Sequence, residues 1–359
     1  MSRTLMIMAG GTGGHIYPAL SVAEYLRAQG WQIVWLGSRA GMEARIVQPL
    51  GYAMAWIRFS GLRGKGLLRA LMLPFNLLIA CWQSAYAIFT HRPHVVLGMG
   101  GYVAFPGGLM ASLLQRPLVI HEQNAVAGLS NRVLARLADR VLMTFPHAFK
   151  NQPSALWVGN PTRADISAVE APAVRYAARG ARLNLMVVGG SQGAAVLNDT
   201  LPRALALLPA AQRPQVTHQS GAAHLAALRA AYAAAGVDAE VLPFIEDMAA
   251  RYAAADLVIC RAGASTVTEI AAVGVASILV PLPWAVDDHQ TANARYLADR
   301  GAAILMPQAE CTPEKLAQLL QSFARDRLLE MARAARTAAK PEATRTVGDI
   351  CVALAGRNR

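Results

Sequence analysis

The sequence predicts an α/β protein built from two doubly wound parallel sheets. Two stretches open the same way. Leu5-Met6-Ile7-Met8 runs into Gly10, Gly11, Gly13 and Gly14 and then a helical spacing; Leu183 to Val188 runs into Gly189, Gly190 and Gly193 and then another. Elsewhere apolar runs of strand length alternate with alanine- and leucine-rich helical stretches, the pattern of parallel strands joined by crossover helices. A chain of 359 residues has room for two such domains.

The first strand is apolar throughout, as a strand covered on both faces must be. The glycines after it let the backbone turn sharply and approach a ligand. From Pro18 on, Leu20, Ala23 and Leu26 keep a helical spacing that Gly30 ends. A helix starting on such a turn attracts anions, so phosphate is the expected guest, although a turn serving only the fold could carry the same glycines. Further strands are predicted at 31–37 (WQIVWLG), 94–101 (HVVLGMGG), 117–124 (PLVIHEQN) and 140–145 (RVLMTF). VGNPTR (158–163) interrupts the alternation and predicts a boundary, giving domains 1–160 and 161–339. The second domain continues with a helix from Ala194 to Leu208 and strands at 240–245, 256–263 and 276–283. The two sheets would face each other across a cleft, both glycine loops lying at carboxyl ends of strands, where ligands bind.

The net charge of +12 is unevenly placed. Residues 1–160 carry 14 Lys and Arg against 4 Asp and Glu, while the rest carry 20 against 18. That field suits an anionic membrane surface or a polyanionic substrate. No RNP-like aromatic motif, zinc finger or lysine-rich tail points to nucleic acid. Cys81, Cys260, Cys311 and Cys351 stand apart with no CxxC pair, which argues for a reducing compartment and against zinc or a disulfide framework. The first strand begins almost at once, without a signal-like cleavage region.

An NADP-dependent oxidoreductase is the competing reading of the glycine turns. The first loop puts Ile16 where the third glycine of GxGxxG belongs, and the second has no GxG. The second strand ends Leu36-Gly37-Ser38-Arg39, with no acid for a ribose; Arg39 would suit only a 2′-phosphate.

Eight motifs occur in one order: GGTGGHIYPAL (10–20), SGLRGKG (60–66), GMGGYVAFPG (98–107), HEQNAVAGLSNR (121–132), GNPTR (159–163), GGSQGA (189–194), CRAGASTVTE (260–269) and DDHQTANA (287–294). Together they resemble the MurG family of peripheral membrane glycosyltransferases over essentially the whole chain. The resemblance implies a GT-B architecture and transfer of N-acetylglucosamine from UDP-GlcNAc to undecaprenyl-pyrophosphoryl-MurNAc-pentapeptide (lipid I), with inversion, to give lipid II. It further implies a place on the cytoplasmic face of the inner membrane, cell-wall or division proteins as partners, and a C-terminal helix (340–359) packed on the first domain. A catalytically silent nucleotide-sugar or lipid scaffold would keep the fold but should lose His15, Arg163 or Glu269, and all three are present.

Loss of UDP leaves two negative phosphates to be stabilised. No DxD element or ordered ligand spacing suggests a metal, and no cofactor is expected; Asp287-Asp288-His289 reads as a helix start with carboxylates in its first turn. The charge then falls on helix N-termini, backbone N–H groups and an arginine, which the family match gives as Arg163. Ala264 allows close approach, and Ser265 and Thr266 hydroxyls can reach phosphate oxygens, in a segment that continues through Val267 and Thr268. Glu269 can accept from both hydroxyls of a ribose. By resemblance Ile245 meets uracil through its backbone, Gln290 reads the sugar hydroxyls, and Ser191 and Asn124 contact the donor.

The acceptor hydroxyl must lose a proton as it attacks. Histidine as a residue type is suited to that step near neutral pH, and His15 stands beside Thr12, Gly13 and Gly14, which would leave room for the acceptor's pyrophosphate. Glu122 is the reserve base, or a structural acid bonded to loop amides. GLLRALMLPFNLLIACWQSAYAIF (66–89) is the expected membrane contact: Arg69, Pro74, Asn76 and Gln83 break any long apolar run, so a transmembrane helix is rejected. Leu71, Phe75, Leu78 and Trp82 form one stripe, widened by Leu68, Met72 and Ile79, with Arg58, Arg63, Lys65, Arg69 and Arg92 to meet anionic head groups. A fully buried core helix is the alternative.

Overall fold

The computed structural model describes residues 3–59, 72–149, 152–190 and 193–356. The chain divides into two compact units, residues 1–163 with 340–359, and residues 164–339.

The first unit holds seven parallel strands in the order β3-β2-β1-β4-β5-β6-β7. They are β1 (Thr4–Met8), β2 (Gln32–Gly37), β3 (Ala53–Trp56), β4 (Val95–Gly98), β5 (Leu118–Glu122), β6 (Arg140–Met143) and β7 (Leu156–Trp157). Alternate residues of β1 enter different cores, which is why its sequence is apolar without a break. Leu5 and Ile7 join Trp35, Leu97 and Leu142 beneath helix α1 (Gly13–Ala28) and the C-terminal helix Ala343–Ala355, which contributes Val347, Cys351 and Leu354. Met6 and Met8 join Leu36, Val96 and Ile120 on the opposite face. That face is covered by α3 (Leu73–His91) and α4 (Ala104–Leu113); the short helices α2 (Met42–Ile46) and α5 (Leu129–Leu134) complete this part of the unit.

Helix α1 begins five residues before Pro18, so Gly13, Gly14 and His15 form its first turn. Glycine carries no apolar signal, and the visible periodicity therefore starts late. Residues 60–71, which hold the whole SGLRGKG motif with Arg63 and Lys65 and also Leu68, Arg69 and Leu71, lie outside the described residues.

The second unit holds six parallel strands in the order β10-β9-β8-β11-β12-β13. These are β8 (Asn184–Val188), β9 (Gln215–Gln219), β10 (Glu240–Leu242), β11 (Leu257–Cys260), β12 (Ala276–Leu279) and β13 (Ala303–Leu305). Its helices are α6 (Ala164–Ser167), α7 (Pro172–Ala177), α8 (Ala195–Ala206), α9 (Leu225–Ala234), α10 (Met248–Ala254), α11 (Ala264–Val273), α12 (His289–Ala298), α13 (Pro313–Ser322) and α14 (Arg325–Thr337). Leu185, Val187, Val216, Ile259 and Ile278 share one core with Leu201, Leu316 and Met331. In both sheets the strand order reverses beside the first strand of the unit. The loops after β1 and β4, and after β8 and β11, therefore flank a topological switch point, the place where open α/β sheets bind ligands.

The four described cysteines are unpaired, three of them buried.

Candidate active site

In the first unit, β1, β4 and β5 bring three polar loops to one end of the sheet. Thr12 precedes α1 in extended conformation, and its side chain makes no capping bond. A helix N-terminus without a side-chain cap is suited to an anion. The GMGG segment after β4 lies directly on this loop: a Cβ at Gly101 (φ +83°) would meet the Gly10 carbonyl oxygen at 2.2 Å. A Cβ at Gly100 (φ +88°) would stand 2.7 Å from His15 Nδ1. Only glycines let the two loops approach this closely.

His15 is half-buried and its Nδ1 lies 2.9 Å from Gln123 Oε1. Behind Gln123, its Nε2 lies 3.0 Å from His121 Nδ1, and His121 Nε2 lies 2.8 Å from the Gly159 carbonyl oxygen. His121 is fully buried, which pushes its pKa down to about 4. It is therefore neutral at physiological pH.

Glu122 is hydrogen-bonded through both carboxylate oxygens. Its Oε1 accepts from the Asn124 backbone N–H (2.9 Å) and Nδ2 (3.3 Å), and its Oε2 from the Gly128 N–H (3.1 Å) and Asn131 Nδ2 (2.9 Å). These four donors match the lone-pair capacity of a carboxylate, and the side chain is 3% exposed. These bonds are what the structural-acid alternative expects: the carboxylate shapes the loop that presents Asn124. Glu43, which the sequence reading passed over, does the same for the glycine turn. Fully buried, it accepts from the N–H groups of Ser38 (2.8 Å) and Gly11 (3.2 Å). Arg163 is half-buried at the end of the unit's first stretch.

In the second unit, α11 starts at Ala264 behind Gly263, again with no side-chain cap. Ser265, Thr266 and Glu269 are half-buried at its start, and Tyr252 Oη lies 3.4 Å from Glu269 Oε2. Val267 is core, with its N–H on the Gly263 carbonyl, and the Thr268 hydroxyl donates back to the Ala264 and Ser265 carbonyls (2.9 and 3.0 Å). These two hold the first turn in shape. Gln219, also unforeseen, links two loops: its Nε2 donates to the Gly190 carbonyl (2.9 Å) and its Oε1 accepts from the Ile245 N–H (2.9 Å). With that N–H engaged, a base at Ile245 would be read through the carbonyl. Ser191 lies outside the described residues.

Asn293 ties α12 to the turn before α11 by donating to the Ala262 carbonyl (3.1 Å), and Gln290 Oε1 accepts from the Leu282 N–H (3.0 Å), leaving its amide N–H₂ to donate elsewhere. Asp287 and Asp288 precede α12 instead of sitting in its first turn. Both have left-handed backbone (φ +52° and +50°), and Asp288 accepts from the Thr291 hydroxyl at 2.6 Å. Among the described residues, no three His, Cys, Asp or Glu side chains form a group that could hold a metal ion.

Helix α3 answers the alternative of a buried core helix. Ala80, Ser84, Ala87 and Ile88 are buried, and Ala80, Ala87 and Ile88 belong to the sheet core. The stripe Phe75, Leu78 and Trp82 is 61%, 67% and 69% exposed, and Tyr86 and Phe89 continue it. Although α3 is long and apolar enough to cross a membrane by length and composition, its buried side packs into the core against the sheet.

Sequence comparison places these features in a known setting. The sequence model of the glycosyltransferase family 28 N-terminal domain matches residues 5–143, and that of its C-terminal domain matches residues 184–347. The UDP-N-acetylglucosamine--N-acetylmuramyl-(pentapeptide) pyrophosphoryl-undecaprenol N-acetylglucosamine transferase of Aromatoleum aromaticum is 63% identical over 99% of both chains. The protein of the same name from Azoarcus sp. is 62% identical over 98% of each. Among solved structures, MurG of Acinetobacter baumannii superimposes with a TM-score of 0.84 at 43% identity, covering 98% of this chain and 99% of that one.

Proposed function

The chain belongs to glycosyltransferase family 28, and from that premise we propose how its two units divide one reaction. The enzyme transfers N-acetylglucosamine from UDP-GlcNAc to lipid I, giving lipid II for peptidoglycan synthesis. Its fold is the two-sheet GT-B architecture. The observation that carries the activity is the near-full-length identity of 63% to a transferase named for it. The oxidoreductase and scaffold readings gain no support, because the matched families and relatives are glycosyltransferases.

The second unit takes the donor. Uracil meets the Ile245 backbone, ribose hydroxyls donate to Glu269, and the diphosphate lies at the N-terminus of α11 against Ala264, Ser265 and Thr266, with Ser191 from the glycine loop. Gln290 offers its amide to the sugar. Helix dipole, oriented N–H groups and Arg163 carry the charge that develops as UDP leaves, a preorganised electrostatic role that requires no metal.

The first unit, with the C-terminal helix, takes the acceptor. Its pyrophosphate lies at the N-terminus of α1 beside Thr12, Gly13 and Gly14, while Asn124 contacts the donor. His15 accepts the proton of the muramoyl C4 hydroxyl as that oxygen attacks the anomeric carbon and the bond to UDP breaks. One displacement inverts the centre. The exposed face of α3 (Phe75, Leu78, Trp82, Tyr86, Phe89) with exposed Arg58 and Arg92 supports peripheral attachment to the anionic cytoplasmic leaflet of the inner membrane. Cell-wall and division proteins are the partners that location offers.

Labelled UDP-GlcNAc incubated with a short-chain lipid I analogue, with and without EDTA, tests the reading. Equal formation of labelled disaccharide lipid in both arms supports it. Loss of transfer with EDTA, restored by Mg²⁺, overturns the metal-free assignment; no transfer in either arm overturns the activity.

A further inference from the structure

We infer that Gln123 and His121 are positioning residues that fix His15 in one tautomer, with the proton on Nδ1 and the lone pair on Nε2. The inference rests on the reading of His15 as the base, and it follows from the acceptor at the far end of the chain of contacts. A peptide carbonyl can only accept, so the 2.8 Å contact to the Gly159 oxygen requires a proton on His121 Nε2. His121 is 0% exposed and enclosed by apolar strands, and a second proton there would be an uncompensated buried charge. Its Nδ1 is thus bare and must accept.

The partner of that nitrogen is the Gln123 amide. At 3.0 Å from His121 Nδ1, the donating Nε2 must face it, and the same Nε2 reaches the His121 carbonyl oxygen at 3.3 Å. The reverse orientation would set the amide oxygen against both a bare nitrogen and a carbonyl. With the amide so fixed, Oε1 faces His15 Nδ1 at 2.9 Å and can only accept. His15 therefore donates from Nδ1. When neutral, it keeps Nε2 unprotonated, which is what a group receiving a proton from the acceptor hydroxyl needs.

The opposite tautomer, favoured by a free histidine side chain in water, would point a donor at the nucleophile. The logic parallels the orienting acid of a catalytic triad, where a wrong tautomer abolishes most turnover with geometry intact. Here a neutral amide and a neutral imidazole do that work, with a backbone carbonyl as the terminus. Gln123 is 1% exposed, so water does not compete for its amide.

The test is imidazole nitrogen spectroscopy on the intact enzyme. Long-range ¹H–¹⁵N correlation spectra of ¹⁵N-histidine protein, with His15 assigned by its absence in His15→Gln, should show neutral His15 protonated on Nδ1. Gln123→Met, which keeps volume but neither donates nor accepts as an amide does, should release His15 toward the Nε2–H form. Its kcat should fall roughly 10–10²-fold, the scale of outer-shell orienting groups, with KM for UDP-GlcNAc unchanged. An Nε2–H tautomer in the parent enzyme, or an Nδ1–H tautomer that persists in Gln123→Met, would overturn the inference. The spectrum of the parent protein decides even if the variant folds poorly. Turnover of His15→Ala judges the base assignment separately, so the two failures are distinguishable.

Discussion

Replacing Gly100 by alanine should disable transfer through a single methyl group. Two effects are separable. Alanine at φ +88° adopts left-handed backbone, at a cost of roughly 1–2 kcal/mol. In a unit of this size that corresponds to a Tm lower by roughly 2–8 °C. The methyl would also lie 2.7 Å from His15 Nδ1 and 3.1 Å from Gln123 Oε1, where ordinary contacts begin at 3.4 Å. The imidazole must retreat by about 0.7 Å and its bond to Gln123 is strained. A misplacement of about 1 Å in a reacting group can lower turnover about 10²-fold. Gly30→Ala is the control: its φ is +83° and nothing lies within 4 Å of the new methyl. Steady-state transfer with a soluble lipid I analogue, alongside thermal melts, reads both terms. Gly100→Ala should lose about 10²-fold in kcat, and Gly30→Ala should show the backbone destabilisation with kcat intact. Parent-like turnover in Gly100→Ala, or an equal loss in Gly30→Ala, would refute the placement of His15.

Glu122→Gln should lower stability by about 1–3 kcal/mol in urea titrations, because an amide N–H₂ would face loop donors that now find an acceptor; a variant with parent stability and abolished turnover would support Glu122 as a base. Acid should weaken both units, because His121 and His218 are buried and their pKa values are pushed down to about 4 and about 3 from 6.5. The folded state then binds fewer protons than the unfolded chain, so stability is retained above pH 6.5 and falls by up to about 1.4 kcal/mol per pH unit per histidine as pH drops below it. Denaturation at pH 7.5 and 5.5 checks this, and a flat profile would count against it. Trp82→Ser with Leu78→Ser should abolish sedimentation with anionic liposomes while leaving turnover of a soluble acceptor unchanged; retained sedimentation would move the membrane contact elsewhere.

The strands that carry both switch points were legible because each is buried on two faces and reads as an unbroken apolar run. β3, β7, β9 and β13 escaped notice for the opposite reason. β7 is only Leu156–Trp157, and β9 is Gln-Val-Thr-His-Gln, whose His218 is buried through its contact with the Tyr232 hydroxyl (2.9 Å). The histidine after the glycine turn and the HEQN motif were both visible in the chain. Their connection was not, since His15 and Gln123 are 108 residues apart and meet only through the order β1-β4-β5. Glu43 had a weak signal, as one of only two acids before Glu122. Its role depends on the close approach of two loops, which local pattern does not encode.

Single-turnover transfer by His15→Ala, at saturating UDP-GlcNAc and lipid I analogue, bears most directly on the chemistry proposed for this fold. The rate should fall roughly 10²–10⁴-fold, as for loss of a general base, with the dissociation constant for UDP-GlcNAc unchanged. A variant that transfers sugar at the parent rate would contradict the account.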